Sequence, residues 1–238
     1  MLSNTFTKEN LDLYLKELAK EFKRLNGKKI PAEIILIGGA AILANYNFRE
    51  STSDMDAIIY ASSAMKQAIH FVADKYQLPN DWLNSDFVKT KSFSPKLINV
   101  SKYYRTFSNI VSIRTISAEY LIAMKLKSAR KYKNDLSDIV GILKEHKEKN
   151  QPIPFESINR AIIELYGSWS DINDDAVAFI KELTKENINY DEYYLEKKKD
   201  ENENQIILSE FENKYPKVLR NDNLDNILQI IKNKKEEN

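Results

Sequence analysis

Two aspartates, Asp54 and Asp56, stand one residue apart in the segment Ser53-Asp54-Met55-Asp56-Ala57-Ile58-Ile59, which begins fourteen residues after a Gly38-Gly39 pair. Side chains alternate along a strand, so the two carboxylates share a face with their Cα atoms ~7 Å apart, while Met55, Ala57 and Ile59 face the other way. Carboxylates so placed repel unless a cation lies between them. Their hard oxygens select Mg²⁺ or Mn²⁺, and Mg²⁺ tends to complete its shell with substrate phosphates. The glycines supply the complementary half: no Cβ stands where a phosphate would approach, and the helix that follows offers unpaired N–H groups. Ser53 adds a hydroxyl. Asp54 and Asp56 are therefore the metal-ligand candidates, and Gly38, Gly39 and Ser53 the phosphate-binding candidates. Each fragment also has an ordinary reading, a tight turn for Gly-Gly and an acidic edge strand for Asp-x-Asp. The specificity lies in their order: strand, Gly-Gly, helix, then Ser-x-Asp-x-Asp.

A second group lies further on. Lys125 falls four residues after Leu121, three after Ile122 and four before Ala129, on a helix face otherwise apolar or small, where a lysine needs an anionic partner. Arg130, Asp135 and Asp138 follow closely. The residues alone leave two readings open: an anionic ligand for Lys125, or a snorkelling Lys125 with Arg130 paired to Asp138 and Asn134 or Asp135 capping the next helix. His70 and His146 have no carboxylate or serine at a useful spacing. The glycine pair continues neither into Gly-Lys-Ser/Thr nor into Gly-x-Gly-x-x-Gly. Tyr103-Tyr104 with Lys102 and Arg105 fits either base stacking or ordinary packing.

These residues need a frame. Asn10 to Leu25, with Leu11, Leu15, Leu18 and Phe22 at helical spacing, predicts an amphipathic helix ending at Asn26-Gly27. Glu33 to Ile37 predicts a buried strand, Ala40 to Asn47 a helix, and Asp54 to Tyr60 a partner strand. Ser62 to Tyr76 predicts a helix and 77–81 a loop, with Trp82-Leu83-Asn84 leading into a short helix or turn. Strands are expected at Leu97 to Val100 and Asn109 to Arg114, with a short helix in the tyrosine-rich stretch between them. From Ser117 onward every segment reads as helix: Ser117 to about Tyr132, Asn134 to Glu148, Phe155 to Tyr166, Asp174 to Lys185, Asp191 to about Tyr215 and Asn223 to Lys232. The expected class is α+β: a small mixed β-sheet with packed helices over 1–115, then a helical region over 116–238 whose first two helices complete the active-site cleft.

Composition narrows the chemistry. With no cysteine and two histidines, any metal must be oxygen-bound. No apolar run approaches the roughly 18 residues that span a bilayer, and nothing resembles a signal peptide, so no membrane role and a cytoplasmic address are expected. Net charge is +1 but uneven, with eleven basic residues against one acid, Glu119, between Phe87 and Lys133. A field of that sign suits a polyphosphate or nucleic acid; it also suits a solvated surface facing the acidic C-terminal half.

The stretch from Gly38-Gly39 to Asp54-Met55-Asp56 resembles the signature of the polymerase-beta-like nucleotidyltransferase superfamily. The segments Ser117-Ala118-Glu119-Tyr120-Leu121-Ile122-Ala123-Met124-Lys125-Leu126-Lys127-Ser128-Ala129-Arg130 and Asp135-Leu136-Ser137-Asp138-Ile139 are similar to the AbiEii/MenT-like and neighbouring bacterial families found in toxin–antitoxin and phage-defence settings. The likeness covers about residues 30–145. It implies a Mg²⁺-dependent (or Mn²⁺-dependent) enzyme that moves an NMP from an NTP to an acceptor hydroxyl: a tRNA 3′ end, a protein or a small molecule. It makes Asp54, Asp56, Lys125 and Asp138 catalytic, adds Lys125, Arg130 and Asp135 to the nucleotide-binding set, and implies a cognate antitoxin as a further partner.

One departure matters. The superfamily usually carries a third carboxylate on an adjacent strand, and Asn109-Ile110-Val111-Ser112-Ile113-Arg114 contains none. Asp86, Asp135 and Asp138 are the substitutes available. The alternative reading is a catalytically degenerate nucleotide-binding or partner-binding module of the same fold.

Overall fold

The computed structural model describes residues 5–27, 30–220 and 223–236. Helix α1 (Lys8–Asn26) buries the expected Leu11, Leu15, Leu18 and Phe22, and its start is fixed by Thr7 N–H donating to Asn10 Oδ1 at 2.9 Å. Strand β1 (Ala32–Leu36) leads directly into helix α2 (Gly38–Asn45), and β2 (Met55–Tyr60) returns antiparallel to β1. Helix α3 (Ala64–Tyr76) packs against α1.

Three expectations are corrected between residues 95 and 116, and one strand appears before them that was not foreseen. Leu83–Asn84 is a short strand, β3, parallel to β2, that the sequence did not suggest, and it leads into a 3₁₀ turn at Asp86–Lys89, the short helix or turn expected after Trp82-Leu83-Asn84. Its place is set by Trp82, wholly buried, whose indole N–H donates to Ile69 O at 3.0 Å and whose carbonyl accepts from Met55 N at 3.1 Å. Pro95–Ile98 is a 3₁₀ turn where a strand was expected; proline at its start and Ser94 Oγ accepting from Lys96 N favour a turn there. The tyrosine-rich stretch is itself strand β4 (Ser101–Phe107), paired antiparallel with β5 (Val111–Ile116). Its Tyr, Thr and Phe content suits a strand better than the expected helix. Ser108 and Asn109, both at positive φ, make the tight link between these strands, so β5 begins at Val111 and not at Asn109.

The sheet order is β3-β2-β1-β5-β4, with β1 and β5 parallel, so the sheet is mixed. The remaining elements among the described residues are helical: α4 (Ala118–Ser128), α5 (Asp135–Glu148), α6 (Phe155–Tyr166), α7 (Asp174–Leu183), α8 (Tyr190–Lys214) and α9 (Leu224–Glu236). This is the α+β class expected, a small mixed sheet with C-terminal helices. The chain divides into two compact units: Met1–Met124 with Glu156–Ser170, and Lys125–Phe155 with Asp171–Asn238. No helix among the described residues is long and apolar enough to cross a membrane.

Candidate functional site

Asp56 lies in β2 next to the point where β1 gives way to α2. Ile37 N donates to Asp56 O at 2.9 Å, which extends the β1–β2 ladder by one step and fixes Asp56 beside Gly38. The Asp56 carboxylate faces that bend: a Cβ placed on Gly38 would lie 3.9 Å from Asp56 Oδ2. The glycines are the first two residues of α2, instead of a turn ahead of it as the sequence suggested. Their N–H groups thus belong to the helix's first turn, where donors lack intrahelical partners. Gly38 has φ +54°, a conformation that L side chains rarely adopt.

Gly39 is required for a different reason. A Cβ there would collide with Thr52 Oγ1 and would lie 3.0 Å from Thr52 Cβ and 3.1 Å from Arg49 Nη2. Thr52 is held against the glycine by a two-way backbone bridge to Phe6, at 2.8 and 2.9 Å. Phe6 is wholly buried against Tyr14 and Trp82, with ring centroids 5.9 and 6.0 Å away. Arg49 donates from Nε to Ser51 O at 3.0 Å and from Nη2 to Thr52 Oγ1 at 3.4 Å, which brings a guanidinium to the same bend.

Asp54 and Ser53 are both exposed, and Asp54 lies one residue ahead of β2 and not within it. The Asp56 carboxylate at the glycine bend, with no sulfur or histidine beside it there, is the kind of hard oxygen donor that suits a divalent cation. Among the described residues no group of three or more His, Asp or Glu side chains is arranged to hold a metal. Asp86 is exposed and pairs with Lys89 at 2.7 Å. A cavity of about 350 Å³ opens beside β2 between Ile59, Met65, Ile69 and Leu83, and none of the expected site residues lines it.

The second group forms a closed ionic cluster in its own unit. Lys125 Nζ lies 2.8 Å from Asp135 Oδ1 and 2.8 Å from Asp138 Oδ2, and all three residues are buried. Arg130 donates to Asp135 from Nε at 2.9 Å, from Nη2 at 3.1 Å and from its backbone N–H at 3.1 Å. Burial alone would raise the Asp135 carboxyl; the Lys125 ammonium and the Arg130 guanidinium overcome that and hold it well below the usual carboxylate range. Lys125 therefore does not snorkel, and Arg130 pairs with Asp135.

Arg49, Thr52 and Phe6 were not singled out from sequence. Arg49 carried one usable signal, as the only basic residue between Lys29 and Lys66. Thr52 and Phe6 carried none, because their role depends on a contact across 46 residues.

No curated protein and no solved structure matches the chain. A protein-family model matches residues 14–146, more than half of the chain, and spans both Asp54-Met55-Asp56 and the Lys125–Asp138 cluster. The chain accordingly belongs to the family described as "Nucleotidyltransferase of unknown function (DUF6036)".

Proposed function

We propose that the chain is a Mg²⁺-dependent nucleotidyltransferase that moves an NMP from an NTP to an acceptor hydroxyl. The observation that supports this most is the Asp56 carboxylate beside Gly38, at the first turn of α2. Asp54 and Asp56 would hold the ion, and a bound divalent cation would supply charge stabilisation to the reacting phosphate oxygens. Gly38 and Gly39 leave backbone N–H groups open to phosphate oxygens, Ser53 offers a hydroxyl, and Arg49 adds a cation at the same bend. The acceptor oxygen bonds to the α-phosphorus as the bond to the bridging oxygen breaks; pyrophosphate leaves and the hydroxyl proton passes to solvent water. The family resemblance is what gives Lys125 and Arg130 a phosphate-binding role in this proposal, with Asp135 and Asp138 orienting them and Asp138 as an additional catalytic acid. The protein contributes position and electrostatics.

The basic stretch from Phe87 to Lys133 favours an RNA acceptor, such as a tRNA 3′ end, over a protein or small molecule. The likeness to the AbiEii/MenT-like families extends the proposal to a toxin–antitoxin or phage-defence role with a cognate antitoxin as partner. A second reading, nucleotide binding without transfer, is favoured by one observation: among the described residues no third acid joins Asp54 and Asp56 in a metal-binding group.

The test is incubation with each α-labelled NTP, Mg²⁺ and total bacterial RNA or lysate, beside Asp54→Ala and Asp56→Ala. Label transfer that the variants lose supports the enzyme. Binding of NTP with no label on any acceptor supports the second reading.

A further inference from the structure

Helix α5 is not capped by its own N-cap residue: Asn134 makes no side-chain capping bond. The cap comes instead from Glu201, on α8 and beyond the residues that the family model matches. Glu201 Oε1 accepts from Leu136 N at 2.8 Å and Ser137 N at 3.3 Å, and Oε2 accepts from Ser137 Oγ at 2.5 Å. Two neighbours on α8 hold the same segment. Lys198 Nζ donates to Asn134 Oδ1 at 3.1 Å, and Asn204 Nδ2 donates to Lys131 O at 2.6 Å. Glu201 and Asn204 are each 3% exposed, and Asn204 Oδ1 is buried with no hydrogen-bond partner.

Burying a carboxylate and an amide in this way is costly, and an apolar contact would join two helices at less expense. The carboxylate instead holds the two residues that lie between Asp135 and Asp138, the acids bound to Lys125. We propose that Glu201 is a positioning residue: by fixing the first turn of α5 it sets the Asp135 and Asp138 carboxylates, and through them the Lys125 ammonium. Helix α8 is thereby part of the working unit. In its consequence for nucleotide handling this rests on Lys125 having the role given above; in its geometry it does not.

The measurement is the rate at which Lys125 is acylated by an amine-reactive reagent, read by mass spectrometry of the full chain, with exposed Lys66 as internal standard. Glu201→Ala strands the Leu136 and Ser137 donors and raises the Lys125 rate roughly tenfold relative to Lys66. Glu201→Gln keeps an acceptor oxygen on those donors and stays within about twofold of the wild type. Where Glu201→Ala does not fold, Ser137→Ala removes one of the three bonds and gives a smaller rise, about threefold. An unchanged Lys125 rate in a folded Glu201→Ala or Ser137→Ala chain overturns the proposal, and so does a Gln variant as reactive as the Ala variant. A raised rate with Mg²⁺–NTP binding unaltered upholds the positioning role and removes Lys125 from the proposed nucleotide site.

Discussion

Lys125 Nζ stands 2.8 Å from Asp135 Oδ1, in a pair whose aspartate is wholly buried. Charges so desolvated are tolerated only while paired, and removing one partner costs more than the pair contributes. Lys125→Met leaves Asp135 to Arg130 alone and Asp138 without its ammonium. Urea unfolding is expected to show a loss of about 3–5 kcal/mol. Exposed pairs such as Lys89–Asp86 supply the contrast, since Lys89→Met changes stability by at most about 1 kcal/mol.

The two glycines fail differently when substituted. Gly39→Ala drives a methyl into Thr52 and costs about 1–3 kcal/mol as overpacking. Gly38→Ala meets nothing nearer than Asp56 Oδ2 but is strained by its positive φ, at about 1–2 kcal/mol. Asparagine tolerates that backbone region better than alanine, so Gly38→Asn is expected to melt above Gly38→Ala, whereas Gly39→Asn is expected to melt below Gly39→Ala. Thermal unfolding of the four variants checks the ordering.

Burial pushes the Glu201 carboxyl up to about 7, opposed by the hydrogen bonds from Ser137 and Leu136 and aided by nearby Asp138. A carboxyl with a raised folded pKa holds its proton longer in the native state than in the unfolded chain. The stability it contributes is fully present below its ordinary value of 4.5 and is lost as pH rises through about 7. Glu201→Gln carries no such proton. The stability of the wild type relative to this variant is expected to fall by roughly 3 kcal/mol between pH 4 and pH 8, read from urea unfolding at each pH. A flat difference contradicts the burial account.

Much of the fold was legible because its periodicity is strong. The α1 stripe, the β1 apolar run and the helices from Ser117 onward follow local patterns that burial reinforces. The misreadings fall where local pattern yields to pairing. Ser101–Phe107 looks like a polar, tyrosine-rich connector until β5 is beside it, and Leu83–Asn84 is a strand only because Met55 and Asp56 lie alongside. At the candidate site, the nearness of Gly38 to Asp56 could be read from the order of strand, bend and strand. The contacts of Arg49 and Thr52 with Gly39 could not, because they depend on Phe6 being buried far along the chain. Glu201 was hidden for a like reason: in Glu196 to Asn204 it reads as one more solvated charge, and only the packing of α8 on α5 makes it a cap.

The most direct test of a metal–nucleotide site at Asp54 and Asp56 is a crystal structure of the full chain with Mg²⁺ and a non-hydrolysable NTP analogue. The account predicts an ion bound by both carboxylates with Mg–O distances of about 2.1 Å, and phosphate oxygens against the N–H groups of Gly38 and Gly39. A nucleotide bound elsewhere, with Asp54 and Asp56 contacting neither ion nor phosphate, contradicts it.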